Sequence, residues 1–118
     1  MDIVDHLEAI NKANDSVQVV IFADLTTQIV LADATKKEIG QEHLDKLCMQ
    51  AAAAFENPFL SLAERPDEVI VMRDDGVLIA LRTTQDSPTA ICLLGDYSTD
   101  LNSVLLEARN ALSETGAS

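Results

Sequence analysis

The chain has no tryptophan, one tyrosine and three phenylalanines among 118 residues. That leaves no aromatic platform on which bases or sugars would stack. Glycine is equally scarce: Gly40, Gly76, Gly95 and Gly116 form neither a phosphate-cradling loop nor a dinucleotide fingerprint. Basic residues number 8 against 20 acidic ones, a net charge of −12. Nucleic acid and anionic membrane both require a basic footprint, so this balance argues against either as a partner. No apolar run approaches the roughly 20 residues of a membrane span. The opening MDIVDHLEAINK is acidic and amphipathic, unlike a secretory signal. Cys-x-x-Cys is absent, and Cys48 and Cys92 sit in apolar contexts that read as small buried hydrophobes. A reducing, cytoplasmic setting is expected.

Catalytic groups are as sparse. His6 and His43 fall on different helical segments and read as satisfied surface histidines. His43 and Cys48 are five residues apart, roughly 140° around a helix, and cannot share a metal. Ser61, Ser87 and Ser98 stand in loops without a recognisable base. Asp74 and Asp75 are adjacent carboxylates that a hairpin turn accounts for. Neither an enzyme nor a cofactor or metal site is expected.

What is present is secondary-structure patterning. Residues 2–14 carry Ile3, Leu7 and Ile10 at helical spacing with Asp2 as a cap. Val17–Ala23 is nearly continuous in its apolarity, as in a strand covered on both faces. Asp24–Thr27 turns without a glycine into a returning strand, Gln28–Asp33. Gly40–Phe59 is the longest helical pattern, closed by Asn57-Pro58. Glu68–Arg73 and Val77–Thr83 flank Asp74-Asp75-Gly76, a strong hairpin signal. Thr89–Leu94 is the last strand, and a helix follows with Ser98 or Thr99 as its expected cap. On that helix Leu101, Val104, Leu105, Ala108, Ala111 and Leu112 share a face. The expected order is α-β-β-α-β-β-β-α, an α+β fold with a mostly antiparallel five-stranded sheet. It forms a single domain over 1–114 with a frayed tail at 115–118.

Two features point to interaction. On the middle helix Leu44, Leu47, Cys48, Ala51, Ala54 and Phe55 make a core face, while Met49 and Ala53 project with Lys46 on the polar side. Alanine favours helices, and one exposed methionine is ordinary; alternatively, the outward face is a second contact surface. Val69, Ile70, Val71 and Met72 form an apolar strand that is either interior, covered by Phe59–Leu62, or a sheet edge. An uncovered edge would template pairing, and a second copy related by a two-fold axis is the commonest cover.

The element order, the alanine-rich middle helix and the C-terminal half together resemble the roadblock/LC7 family of dynein light chains and bacterial GTPase regulators. The segments concerned are VIVMRDDGVLIALRTT and TAICLLGDYSTDLNSVLLEARNAL, above all Leu94 through Asp100-Leu101 to Leu106-Glu107-Ala108. One departure is the first hairpin, where the family commonly has a glycine in a D-x-x-G-like turn and Asp24-Leu25-Thr26-Thr27 has none. The resemblance implies a middle helix on one sheet face and terminal helices on the other. It further implies a homodimer or related heterodimer joined through the third strands and middle helices, no catalysis, and a scaffold or regulatory role beside a small Ras-like GTPase or its complex. A second class also fits the size and charge: an acidic dimeric secretion chaperone that binds an extended segment of an exported protein. Those chaperones usually place three strands before the middle helix, and this chain offers two.

Overall fold

In the computed structural model, which describes residues 2–56, 67–83 and 87–115, each segment forms for a local reason. Helix α1 (Ile3–Ala13) starts where the Asp2 carboxylate accepts the Asp5 N–H at 3.0 Å. Its far end is closed by a side chain from elsewhere. The Lys36 ammonium donates to the carbonyls of Asn11 in the last turn, Asn14 at the cap (2.8 Å) and Val17 at the start of the next strand (2.6 Å), tying the three together.

Strands β1 (Val17–Asp24) and β2 (Ile29–Thr35) are joined by a turn built on Asp24. Its Oδ1 accepts the Thr26 and Thr27 N–H groups at 2.9 and 3.1 Å. The left-handed position a glycine would have filled falls on Gln28, at φ 58°. Helix α2 (Gln41–Phe55) begins after Gly40 and ends at Phe55, just before the expected stop at Asn57-Pro58, which with Phe59 lies outside the described residues. Strands β3 (Glu68–Arg73) and β4 (Gly76–Leu81) form the expected hairpin. Gly76 is already inside the ladder, paired with Arg73, and carries the positive φ (149°) that neither Asp74 nor Asp75 adopts. A Cβ at Gly76 would lie 2.2 Å from the Gly95 carbonyl oxygen, so the two backbones approach as only glycine permits.

Strand β5 (Thr89–Gly95) leads into α3 (Leu101–Thr115). The cap of α3 is Asp100, not Ser98 or Thr99: its carboxylate receives the Ser103 N–H at 3.3 Å and the Ser103 hydroxyl at 3.1 Å. The two expected caps are occupied one turn earlier. Ser98 donates N–H and hydroxyl to the Asp96 carboxylate, and Thr99 donates its hydroxyl to the Asp96 carbonyl.

The strands make one antiparallel sheet in the order β2-β1-β5-β4-β3. Alternation along each strand divides the apolar side chains between two cores. Val17, Val20, Ile79, Leu81, Ile91 and Leu93 pack under α1 and α3. Val19, Ile21, Leu78, Ala80, Cys92 and Leu94 pack under α2, against Leu44, Leu47, Ala51 and Phe55. Each fully buried Leu, Ile or Phe stabilises the fold by about 1.5–3 kcal/mol, so both cores are needed. His6 is buried between the terminal helices, contrary to its expected surface position. The reason is that α1 packs on both the sheet and α3, so one of its flanks is covered as well as its apolar stripe. His6 Nε2 lies 3.2 Å from a Glu114 carboxylate oxygen, yet without the alignment of a hydrogen bond.

The outer strands differ. Along β2 the register shifts between Phe22 and Ala23, so Leu31 bulges out of the ladder. Strand β3 runs in regular register with β4 and, among the described residues, has no strand on its other side.

Two stability changes are expected. Gln28→Gly removes the cost of a left-handed side-chain-bearing residue and should raise stability by about 0.5–1 kcal/mol. Lys36→Met removes a charged donor shared by three carbonyls, of which those of Asn14 and Val17 keep a second donor, and should lower it by about 1–3 kcal/mol. Urea denaturation of the two variants checks both signs.

Candidate protein interface

The unpaired edge of β3 carries Glu68, Ile70 and Met72 on one side and Val69, Val71 and Arg73 on the other. Val69 is 5% exposed and sits with Val71 in the core beneath α2. Ile70 and Met72 pair across the ladder with Ile79 and Val77, which belong to the core under α1 and α3. They therefore project on the α1/α3 side, where they remain 45% and 67% exposed. Of the four strand residues singled out in the sequence, two offer side chains to solvent. Val69 offers only backbone, and Val71 is half-buried.

On the other face, α2 presents Lys46, Met49 and Ala53 outward. Lys46 pairs loosely with Glu42 at 3.8 Å, an exposed contact of little energetic weight. Which flank of α2 looks toward β3 is fixed by a contact the sequence did not suggest: Arg73 donates to the Gln50 side-chain oxygen at 2.8 Å. Gln50 is one residue beyond Met49, about 100° further round the helix. Met49 accordingly leans the other way, over a groove of about 640 Å³ shared with Ala53, Leu25, Gln28 and Pro88. In that groove the guanidinium of buried Arg82 stacks on the Phe55 ring at 4.3 Å. Thus Gln50 borders the β3 side of α2, while Met49 and Ala53 belong to the groove. The signal for Gln50 was weak in the sequence, because a glutamine on a polar helix face is ordinary.

The chain has the roadblock/LC7 fold. A Roadblock/LC7 domain from Streptomyces avermitilis superposes with a TM-score of 0.80 at 11% identity, covering 98% of this chain and 96% of that one. The gliding protein MglB of Thermus thermophilus gives 0.77 at 20% identity, covering 96% and 84%. MglC of Myxococcus xanthus gives 0.63 at 15% identity, covering 98% and 93%. No family model matches the chain, and no curated protein matches it in sequence. The layer arrangement, with α2 on one face and α1 and α3 on the other, is the one that the resemblance implies.

The chemistry around these surfaces is quiet. Among the described residues no three His, Cys, Asp or Glu side chains are placed to hold a metal ion. No helix among them is long and apolar enough to cross a membrane. Ser61 lies outside the described residues, Ser87 is buried and donates to the Thr89 carbonyl at 3.3 Å, and Ser98 is engaged with Asp96. Those Ser98 hydrogen bonds, side chain before backbone, hold the Asp96 carboxyl below its ordinary value. Asp75 forms an ion pair with Arg73 at 3.0 Å within the hairpin. Cys48 and Cys92 are free thiols buried under α2. Burial pushes the Cys92 thiol well up, with Cys48 adding to it. Burial also raises Cys48, and the Asp45 and Asp24 charges add to that. Both are held protonated at neutral pH and are poor nucleophiles.

A raised thiol stabilises the folded chain fully below the ordinary thiol range, near 8.5, and that contribution is lost as pH climbs above it. Melting temperature should therefore fall between about pH 8.5 and 11, and fall less in a Cys48→Ala/Cys92→Ala variant. A thermal scan against pH that gives the two proteins parallel curves would contradict this account.

Proposed function

We propose that the protein is a non-catalytic regulatory or scaffold subunit that works as a two-fold dimer and engages a small Ras-like GTPase or its complex. The observation that carries this reading is the open β3 edge. Its six residues run in regular register with β4, without a bulge, and expose Ile70 and Met72. Pairing with a second copy would add about six backbone hydrogen bonds and set Ile70 and Met72 beside their two-fold mates on one face. The same pairing brings the Gln50 flanks of two α2 helices toward each other, since Gln50 is already tied to the end of β3. Ala54, one turn beyond Gln50 on that flank, permits close helix approach.

Likeness in fold to MglB and MglC supports a regulatory role, and a known MglB structure has a tetrameric arrangement, so assembly of copies has a precedent on this scaffold. The GTPase partner follows from the resemblance to the roadblock/LC7 family. The secretion-chaperone alternative is disfavoured because only two strands precede α2. The thin catalytic inventory and the protonated thiols are consistent with binding rather than turnover. A cytoplasmic location fits free cysteines.

Sedimentation equilibrium at micromolar concentration tests the dimer. Ile70→Lys places like charges across the two-fold axis and should weaken self-association at least tenfold, or by about 1.4 kcal/mol. A wild-type monomer, or a dimer indifferent to this change, would refute the β3 pairing. For the partner, a pull-down from the source cell should recover a small GTPase with the wild type and lose it with Ala53→Arg. Failure to recover a GTPase with a folded dimer counts against the partner assignment alone.

A further inference from the structure

The α1/α3 face is not covered evenly. Helix α3 lies over β4 and β5, and α1 lies toward β1 and β2, so that among the described residues no helix covers β3 on this side. Two contacts tie α3 and its leading loop to the two ends of that strand. At one end Arg109 bonds Glu68 at 2.7 Å and the Arg82 carbonyl at 2.7 Å. At the other, the Tyr97 hydroxyl donates to the Arg73 carbonyl. Between them is a shelf whose floor is Ile70 and Met72. Its wall is the flank of α3 bearing Leu105 and, above it, Leu106, which is 62% exposed. The flank is fixed by helical spacing, because Leu105 and Leu106 lie one turn before Arg109. The opposite flank of α3 is committed to α1 through Glu107 and Glu114.

We propose that, in the β3-paired dimer inferred above and resting on that reading, two such shelves join into a trough that receives one amphipathic helix of a partner protein, with a basic flank. The width selects the occupant. Neighbouring strands are about 4.8 Å apart, so the α3 axes, each above the β4/β5 boundary, stand four spacings or roughly 19 Å apart. Packed helices prefer 8–10 Å between axes, so one helix fits between the two walls and two do not. Sheet twist splays the walls without changing their separation at the axis. The charge selects the flank. Asp74, Asp96 and Asp100 stand exposed in the loops at the Tyr97 end of each shelf, on a chain of net charge −12. An apolar stripe flanked by lysine or arginine would meet the four floor side chains and this acidic rim together.

The test uses the full chain and a synthetic peptide of about 18 residues with leucine on one helical stripe and lysine elsewhere, against a scrambled peptide of the same composition. Fluorescence anisotropy gives affinity, and sedimentation of the same samples gives stoichiometry and the state of the protein. The expected result is one amphipathic peptide per two chains. Binding should be at least tenfold weaker to the scrambled peptide, and at least tenfold weaker to a Leu106→Ser protein that remains dimeric. A dimer that binds both peptides alike, binds two per dimer, or is unaffected by Leu106→Ser overturns the trough and leaves the dimer standing. A monomer in the same sedimentation run overturns both.

Discussion

Every part of this fold follows from a sheet whose inner strands are apolar on both faces. Strands β1, β4 and β5 hand alternate side chains to two separate cores, so neither face can be left wet. Three helices must then cover two faces. Five strands span about 24 Å and a helix with its side chains about 10–12 Å, so cover is unavoidably incomplete. The single helix α2 crosses one face and touches all five strands, whereas α1 and α3 share the other and, among the described residues, leave β3 without a helix over it. The exposed apolar groups of β3 are thus a geometric remainder of the architecture.

Much of the architecture was legible because the periodicities are unambiguous. Strand β3 was delimited as Glu68–Arg73, and the buried stripe of α3 is the one that its 3.6-residue spacing specifies. What was not legible depends on groups that compete for the same partner. Ser98 and Thr99 look like helix caps until Asp96 is seen to hold both, which passes the role to Asp100. The glycine-free turn hides its left-handed residue, because nothing in a glutamine announces φ 58°. His6 looked solvent-facing because a helical wheel has one buried side, whereas α1 is packed on two.

The exposure of the candidate interface residues was legible in part. Exposure of Met49 and Ala53 follows from the wheel, but the flank each occupies depends on how α2 is rotated over the sheet, which the Gln50–Arg73 contact sets. Likewise the alternation of β3 shows that its four apolar residues cannot share a face. It does not show which pair the core takes. That choice depends on the register with β4, where Val69 meets Ala80 and Ile70 meets Ile79.

The bulge at Leu31 gives the two sheet margins unequal capacities for growth. A chain with two regular margins could add copies without limit and build a fibre. Here one margin is regular and the other is interrupted, so strand addition has one productive direction. A two-fold contact through the regular margin uses it up in both molecules at once. In the proposed two-fold pairing, polymerisation would be arrested after a single step by one unpaired residue on the strand farthest from the contact.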